Sequence, residues 1–185
     1  MILRKTSLSD VDAVLEIIDF GKDYLKSQGI DQWQQGYPNR QSILDDIQNG
    51  EGYVLEMNGE IVGTAMLSFG GEPTYENLEG GQWLASEPYG VLHRVAVLPK
   101  FKGQGLGLSL IEQAGELCLK RGVYSLRVDT HQENKSMQNL LTKAGFSPCG
   151  IIHLNPYEKG EQGTRAAYEK LLSGGEGQDG QIQET

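Results

Sequence analysis

The feature that most constrains the fold is a strand-to-helix passage in the middle of the chain. Tyr89 to Leu98 (YGVLHRVAVL) reads as a buried strand, and Pro99-Lys-Phe-Lys-Gly-Gln-Gly-Leu-Gly107 leads it into a helix from about Gly105 to Lys120. Leu106, Leu110, Ala114, Leu117 and Cys118 keep one face of that helix apolar. A further strand, Tyr124 to Asp129, follows at once. Strand, helix and strand in this order call for parallel pairing inside a sheet that helices cover.

The flanking segments extend this frame. Ile2 to Lys5 is a short strand, and Ser9 begins S-D-V-D, where an N-cap side chain and early acids favour a helix start. Val11, Val14, Leu15, Ile18 and Leu25 recur at helical spacing, which predicts a helix from about Asp10 past Phe20, ended near Gly29. The segment DQWQQGYPNR reads as a loop and Ser42 to Ile47 as a second short helix. Gly52 to Met57 and Glu60 to Phe69 flank Asn58-Gly59, the dipeptide suited to a type I′ hairpin turn. Gly70 to Glu87 is a long loop; later come a helix from Asn134 to Lys143 and strands at Phe146 to Ile152 and Thr164 to Leu171. The expected fold class is α/β, a mixed sheet flanked by helices.

With 185 residues and 38% hydrophobic content, the chain suits one core, assigned to residues 1–172. The stretch 173–185 (SGGEGQDGQIQET) has too little apolar surface to offset its ordering entropy, and reads as a disordered acidic tail. The formal charge of -9 falls to -6 without Glu176, Asp179 and Glu184, leaving 22 acidic against 16 basic residues. No concentrated positive charge offers a nucleic-acid surface. A cationic acceptor suits this field better. No apolar run approaches the roughly 20 residues of a membrane span, so the expectation is a cytoplasmic protein with no membrane partner. Cys118 and Cys149 make no disulfide framework, both read as inert, and no Cys/His spacing suggests a metal.

Chemistry concentrates at Gly103, Gly105 and Gly107. Glycine permits positive φ and close approach of an anion, and the helix start adds unpaired N–H groups and the positive end of its dipole. A nucleotide P-loop would need Gly-Lys-Ser/Thr, whereas Gly107 is followed by Leu108-Ser109. The spacing also fits a dinucleotide fingerprint poorly, although Asp129 closes the next strand. The plain alternative is a glycine-rich turn with no ligand.

The string V-A-V-L-P-K-F-K-G-Q-G-L-G-L-S-L-I resembles the central motif of the GNAT superfamily of acyl-CoA N-acyltransferases, Gln/Arg-x-x-Gly-x-Gly/Ala. Lys102, Gly105 and Gly107 fall on its defining positions; Lys102 keeps positive charge but gives up the bidentate fork of arginine. Asn134-Lys-Ser-Met-Gln-Asn-Leu-Leu-Thr-Lys-Ala-Gly-Phe146 resembles the family's later motif, with Asn134, Gly145 and Phe146 in register. The resemblance covers nearly the whole folded chain. It implies two parallel strands splayed to admit acetyl-CoA as cosubstrate, with main-chain groups of Val95 and Val97 pairing the pantetheine arm. It further implies that N–H groups from Gly103 through Gln104, Gly105, Leu106 and Gly107 to Leu108 hold the pyrophosphate. Asn134 would bond the arm from the far side or serve only as a helix N-cap.

Acyl transfer to an amine needs a neutral amine, oxyanion stabilisation and a proton for the thiolate. A simple amine with a pKa of about 10.4 is protonated at neutral pH, so proton removal is a real task. His93 is the first candidate base, in Leu92-His-Arg-Val-Ala-Val97, a string similar to one in arylalkylamine N-acetyltransferases. Glu87 and then His131 follow; a histidine satisfied within the core is the plain alternative for His93. The family's usual acidic Tyr falls on Leu141, which leaves Tyr157 and Tyr168 as substitutes, or solvent. Trp33 and Tyr37 lie where this family shapes its acceptor pocket, and Tyr75 and Trp83 of the long loop also suit a wall. Such aromatics equally pin a loop to the core or to a second copy in a homodimer. The expected activity is acetyl transfer from acetyl-CoA to a primary amine, a small molecule or a peptide N-terminus. The alternative is an acyl-CoA sensor without turnover.

Overall fold

The computed structural model of the chain describes residues 1–86, 88–101, 103–155 and 163–173. Seven strands form one sheet in the order β1-β2-β3-β4-β5-β7-β6. They are β1 (Ile2–Lys5), β2 (Gly52–Met57), β3 (Glu60–Ser68), β4 (Gly90–Val97), β5 (Ser125–His131), β6 (Ser147–His153) and β7 (Thr164–Leu171). Every neighbouring pair is antiparallel except β4 and β5, so the mixed α/β sheet is as expected. Asn58 and Gly59 both take left-handed backbone, φ 53° and 79°, as a type I′ turn requires between β2 and β3.

Successive residues of a strand point to opposite faces, and Val54 and Leu55 of β2 divide two cores in this way. Val54 packs with Val11, Val14, Ile18, Leu25 and Ile43 of α1 (Val11–Ser27) and α2 (Arg40–Asn49). Leu55 packs with Leu67, Leu92, Leu110, Ile111 and Leu141, under α3 (Leu106–Lys120) and α4 (Lys135–Lys143). The bounds of α1 agree with the periodicity, whereas α2 runs longer than the expected Ser42 to Ile47. Asn39 caps α2 through its side chain, accepting the Ser42 N–H at 3.1 Å, and so starts the helix at Arg40.

Two irregularities of β4 create the site. Pairing to β5 is confined to Gly90–Leu126 and Val91–Arg127, so the C-terminal halves of these parallel strands part. On the other edge, Met66 of β3 opposes His93 while Thr64 opposes Ala96, a bulge in which Arg94 takes φ 55°. Regular alternation would send one of two consecutive residues into the α3 core. The bulge instead frees Arg94 to reach Asp46 on α2 at 2.5 Å, while His93 turns to the cleft.

The expected long loop crosses the sheet as a strap, numbers 70 to 86, with a helical turn at Pro73–Glu76. Tyr75 is buried with Tyr89, Val91, Ile152 and Ala167, and its carbonyl accepts the Trp83 indole N–H at 3.0 Å. Buried Glu169 of β7 ties the strap down: it accepts from the Leu84 N–H, from Ser125 Oγ at 2.5 Å and from Arg127 Nε at 3.1 Å. The Arg127 guanidinium is sandwiched between Tyr89 and Trp83, at 3.7 and 4.2 Å from their ring centres. Positions 174–185 of the expected tail lie outside the described residues.

Candidate active site

The parting of β4 and β5 opens a cleft of about 770 Å³ that runs from the start of α3 to the strap and α1. Its two ends are built differently. At the first, Gly103 and Gly105 adopt φ 83° and 76°, conformations a side chain would strain, and nothing lies within 4 Å of where a Cβ would stand. The first intrahelical bond of α3 runs from Ser109 N–H to the Gly105 carbonyl at 2.9 Å, leaving the Leu106, Gly107 and Leu108 amides without an intrahelical acceptor. Among the described residues no side chain caps this end. A diphosphate fits such a corner: amides at a helix start, a dipole end and no Cβ in the way.

One expectation here needs correction. The Gln104 amide donates to the Phe101 carbonyl at 3.1 Å, closing a helical turn, so it leaves the set of anion donors. Gly107 does border the cleft, but a Cβ there would stand 2.8 Å from Leu140 Cδ2, so its glycine serves the approach of α4 to α3. Lys102 lies outside the described residues.

Along the cleft wall, Leu98 N–H donates back to Val62 of β3 at 2.9 Å. Backbone groups alternate sides along a strand, so those of Val97 and Val95 face the gap, where the ladder to β5 has ended. Asn134 sits opposite as the N-cap of α4, its Oδ1 accepting the Met137 N–H at 3.1 Å. The cap role is therefore real, and its amide nitrogen remains on a residue that borders the cleft. Thr130 Oγ1 and Arg94 Nε, on two residues that border the cleft, are buried with no hydrogen-bond partner among the described residues.

The second end gathers side chains from three segments. His93 Nε2 lies 3.1 Å from Glu72 Oε2 on the strap, and His93 Nδ1 lies 3.7 Å from Asp129 Oδ2 on β5. Tyr75 donates its hydroxyl to the same Asp129 oxygen at 2.8 Å. Burial, reinforced by Asp129, holds the Tyr75 hydroxyl well above its ordinary pKa of 10.0, so it stays a donor. Thr74 Oγ1 donates to Glu72 Oε1 at 3.0 Å and fixes the carboxylate from its other side. Nothing in the sequence spacing of residues 72, 93 and 129 signals this convergence; only strand order and the strap produce it.

The remaining candidates separate. Glu87 and Tyr157 lie outside the described residues. His131 turns from the cleft to Asp31, 3.2 Å away. Tyr168 belongs to the core under α3, where burial raises its pKa, and it does not border the cleft. Leu141 is fully buried in the same core and also does not border the cleft, so the position of the family's usual Tyr is an interior one in this chain. Trp33 is 8% exposed, packs in the α1 core and shows an edge to the cleft; Tyr37 also borders it and lies under the Arg94 guanidinium at 5.5 Å. Burial raises the Cys118 thiol to about 11 and raises that of Cys149, which suits inert thiols.

Residues 18–146 match the acetyltransferase (GNAT) family. The chain belongs to the GNAT acetyltransferase family. A GNAT acetyltransferase of Streptococcus agalactiae shares its structure with a TM-score of 0.83 and 31% identity, over 94% of this chain and 96% of that one. A Bacillus subtilis protein named as a ribosomal protein bS18 alanine N-acetyltransferase is 31% identical over 71 residues, 38% of this GNAT chain and 46% of the relative. The chain spans between 46% and 62% of the length of the curated relatives it matches. The PaiA N-acetyltransferase of Thermoplasma acidophilum, solved in complex with coenzyme A, shares the GNAT fold at a TM-score of 0.67 and 16% identity, over 92% and 98% of the two chains. Among the described residues, no group of three or more His, Cys, Asp or Glu could hold a metal ion, and no helix is long and apolar enough to cross a membrane.

Proposed function

We propose that this protein transfers an acetyl group from acetyl-CoA directly to a primary amine, a small molecule or a peptide N-terminus. One observation carries the reading: a single cleft joins an anion-accepting corner to a histidine flanked by carboxylates. The amides of Gly103, Gly105, Leu106, Gly107 and Leu108, with Lys102, would hold the diphosphate, and Val95, Val97 and Asn134 the pantetheine arm. His93 would take a proton from the amine while Trp33 and Tyr37 shape the acceptor side. The name of the Bacillus subtilis relative places a ribosomal-protein alanine on the acceptor side, and the Thermoplasma acidophilum protein was solved with coenzyme A, both in keeping with this division.

The first test is thermal shift. Coenzyme A should raise the melting temperature while ATP and NAD do not, since a ligand stabilises the state it binds. A shift with a nucleotide and none with CoA would remove the proposal. Mass spectrometry of acetyl-CoA incubated with a panel of amines and alanyl peptides should then show acetylated product. Binding without turnover on any amine would favour the sensor reading.

A further inference from the structure

The carboxylates around His93 are not equivalent. Glu72 Oε2 is 3.1 Å from Nε2, within hydrogen-bond reach, whereas Asp129 Oδ2 is 3.7 Å from Nδ1, beyond it. An ionised carboxylate accepts and cannot donate, and a neutral imidazole carries one N–H. Glu72 therefore selects the tautomer with the proton on Nε2. Its other oxygen is held by Thr74, so the carboxylate cannot swing away without losing a second bond. Asp129 is steadied from the opposite side by the Tyr75 hydroxyl.

We infer that Glu72 is a positioning residue that keeps His93 Nδ1 unprotonated, and that Asp129, held by Tyr75, seats the acceptor's ammonium beside that nitrogen. The inference rests on the acetyltransferase reading and deepens it. The charged and titratable groups about His93 agree. The strap supplies Glu72 and Tyr75, β5 supplies Asp129, and the neighbouring cation Arg94 is turned to Asp46.

The proton balance closes. The ammonium gives one proton to Nδ1, forming an imidazolium with each N–H directed at a carboxylate. The neutral amine attacks the thioester carbon; the C–N bond forms and the C–S bond breaks. The nitrogen's second proton goes to the thiolate through solvent, and His93 returns its proton to water. No metal or redox partner is needed.

The test reads the tautomer directly, by imidazole nitrogen chemical shifts in the protein labelled with ¹⁵N-histidine, without substrate. Neutral His93 should carry its proton on Nε2 in the wild type and in Asp129→Asn, and should shift toward Nδ1–H in Glu72→Ala. An Nδ1–H wild type, or no change in Glu72→Ala, would overturn the inference. With acetyl-CoA and a panel of phenethylamine, spermidine and an alanyl peptide, Glu72→Ala should lower kcat on the order of 10²-fold with the KM for acetyl-CoA unchanged. Asp129→Asn and Tyr75→Phe should act chiefly on the amine KM. An unchanged kcat in Glu72→Ala would also sink it. If the wild type acetylates nothing while the nitrogen shifts behave as stated, the acetyltransferase reading fails and the tautomer assignment survives.

Discussion

The two ends of the cleft are made of different material. The corner at the start of α3 is backbone: contiguous residues that present amides, a dipole end and no Cβ atoms to the cleft. The histidine end is side chain, assembled from the strap, β4 and β5, and it depends on a bulge, the Tyr75–Asp129 hydrogen bond and a distant ion pair. A backbone site is specified by a short string and tolerates change at most neighbours. A side-chain site is specified by the whole fold and fails when any support moves.

The largest expected break falls on the histidine end. His93→Ala should lower kcat about 10² to 10⁴-fold and leave CoA affinity intact, measured by steady-state kinetics beside calorimetric CoA titration. Loss of CoA binding in that variant would erase the distinction between the ends. Next comes Glu169→Ala, which strips a buried carboxylate from Arg127 and the strap. Breaking such a pair costs about 3–5 kcal/mol, read from denaturant unfolding. The amine KM should rise more than the acetyl-CoA KM, because the strap carries Glu72 and Tyr75.

Titration sharpens the contrast, since the corner holds no described ionisable group. Burial lifts Asp46 from 3.8 to about 6, outweighing the opposing pull of Arg94. Its folded pKa lies above the unfolded one, so its contribution is full below pH 4 and is lost as pH rises through about 6. That rise corresponds to about 2–3 kcal/mol of stability. Asp46→Asn should flatten that slope in unfolding curves measured between pH 4 and 7. The smallest effect is Gly105→Ala, about 1–2 kcal/mol of strain at φ 76°. It should weaken CoA binding while the histidine ¹⁵N shifts stay in place.

The same division explains what the sequence disclosed. The hairpin at Asn58-Gly59, the strand-to-helix corner and the cap at Asn134 are local, each written in a few adjacent residues, and each appears in the structure. Gln104 was misread because a glycine-rich string does not say which amide is already spent on a turn, and the close approach of Gly107 to α4 is equally absent from the string. Glu72 and the partnership of Asp129 with His93 were invisible, since 21 residues separate Glu72 from His93 and a strand pairing separates His93 from Asp129. Arg94 hid the bulge: the string LHRVAVL reads as an uninterrupted buried strand, yet one left-handed residue redirects His93 and Arg94 together.

The strap has an evolutionary consequence. It enters from β3, leaves into β4 and contributes Glu72 and Tyr75, touching the sheet ladder, among the described residues, only through the Glu79–Ile151 bridge to β6. A lineage could therefore exchange this one insert and acquire a new acceptor while inheriting its coenzyme grip unaltered, provided the replacement still offers a carboxylate to the histidine and a foothold to the buried glutamate.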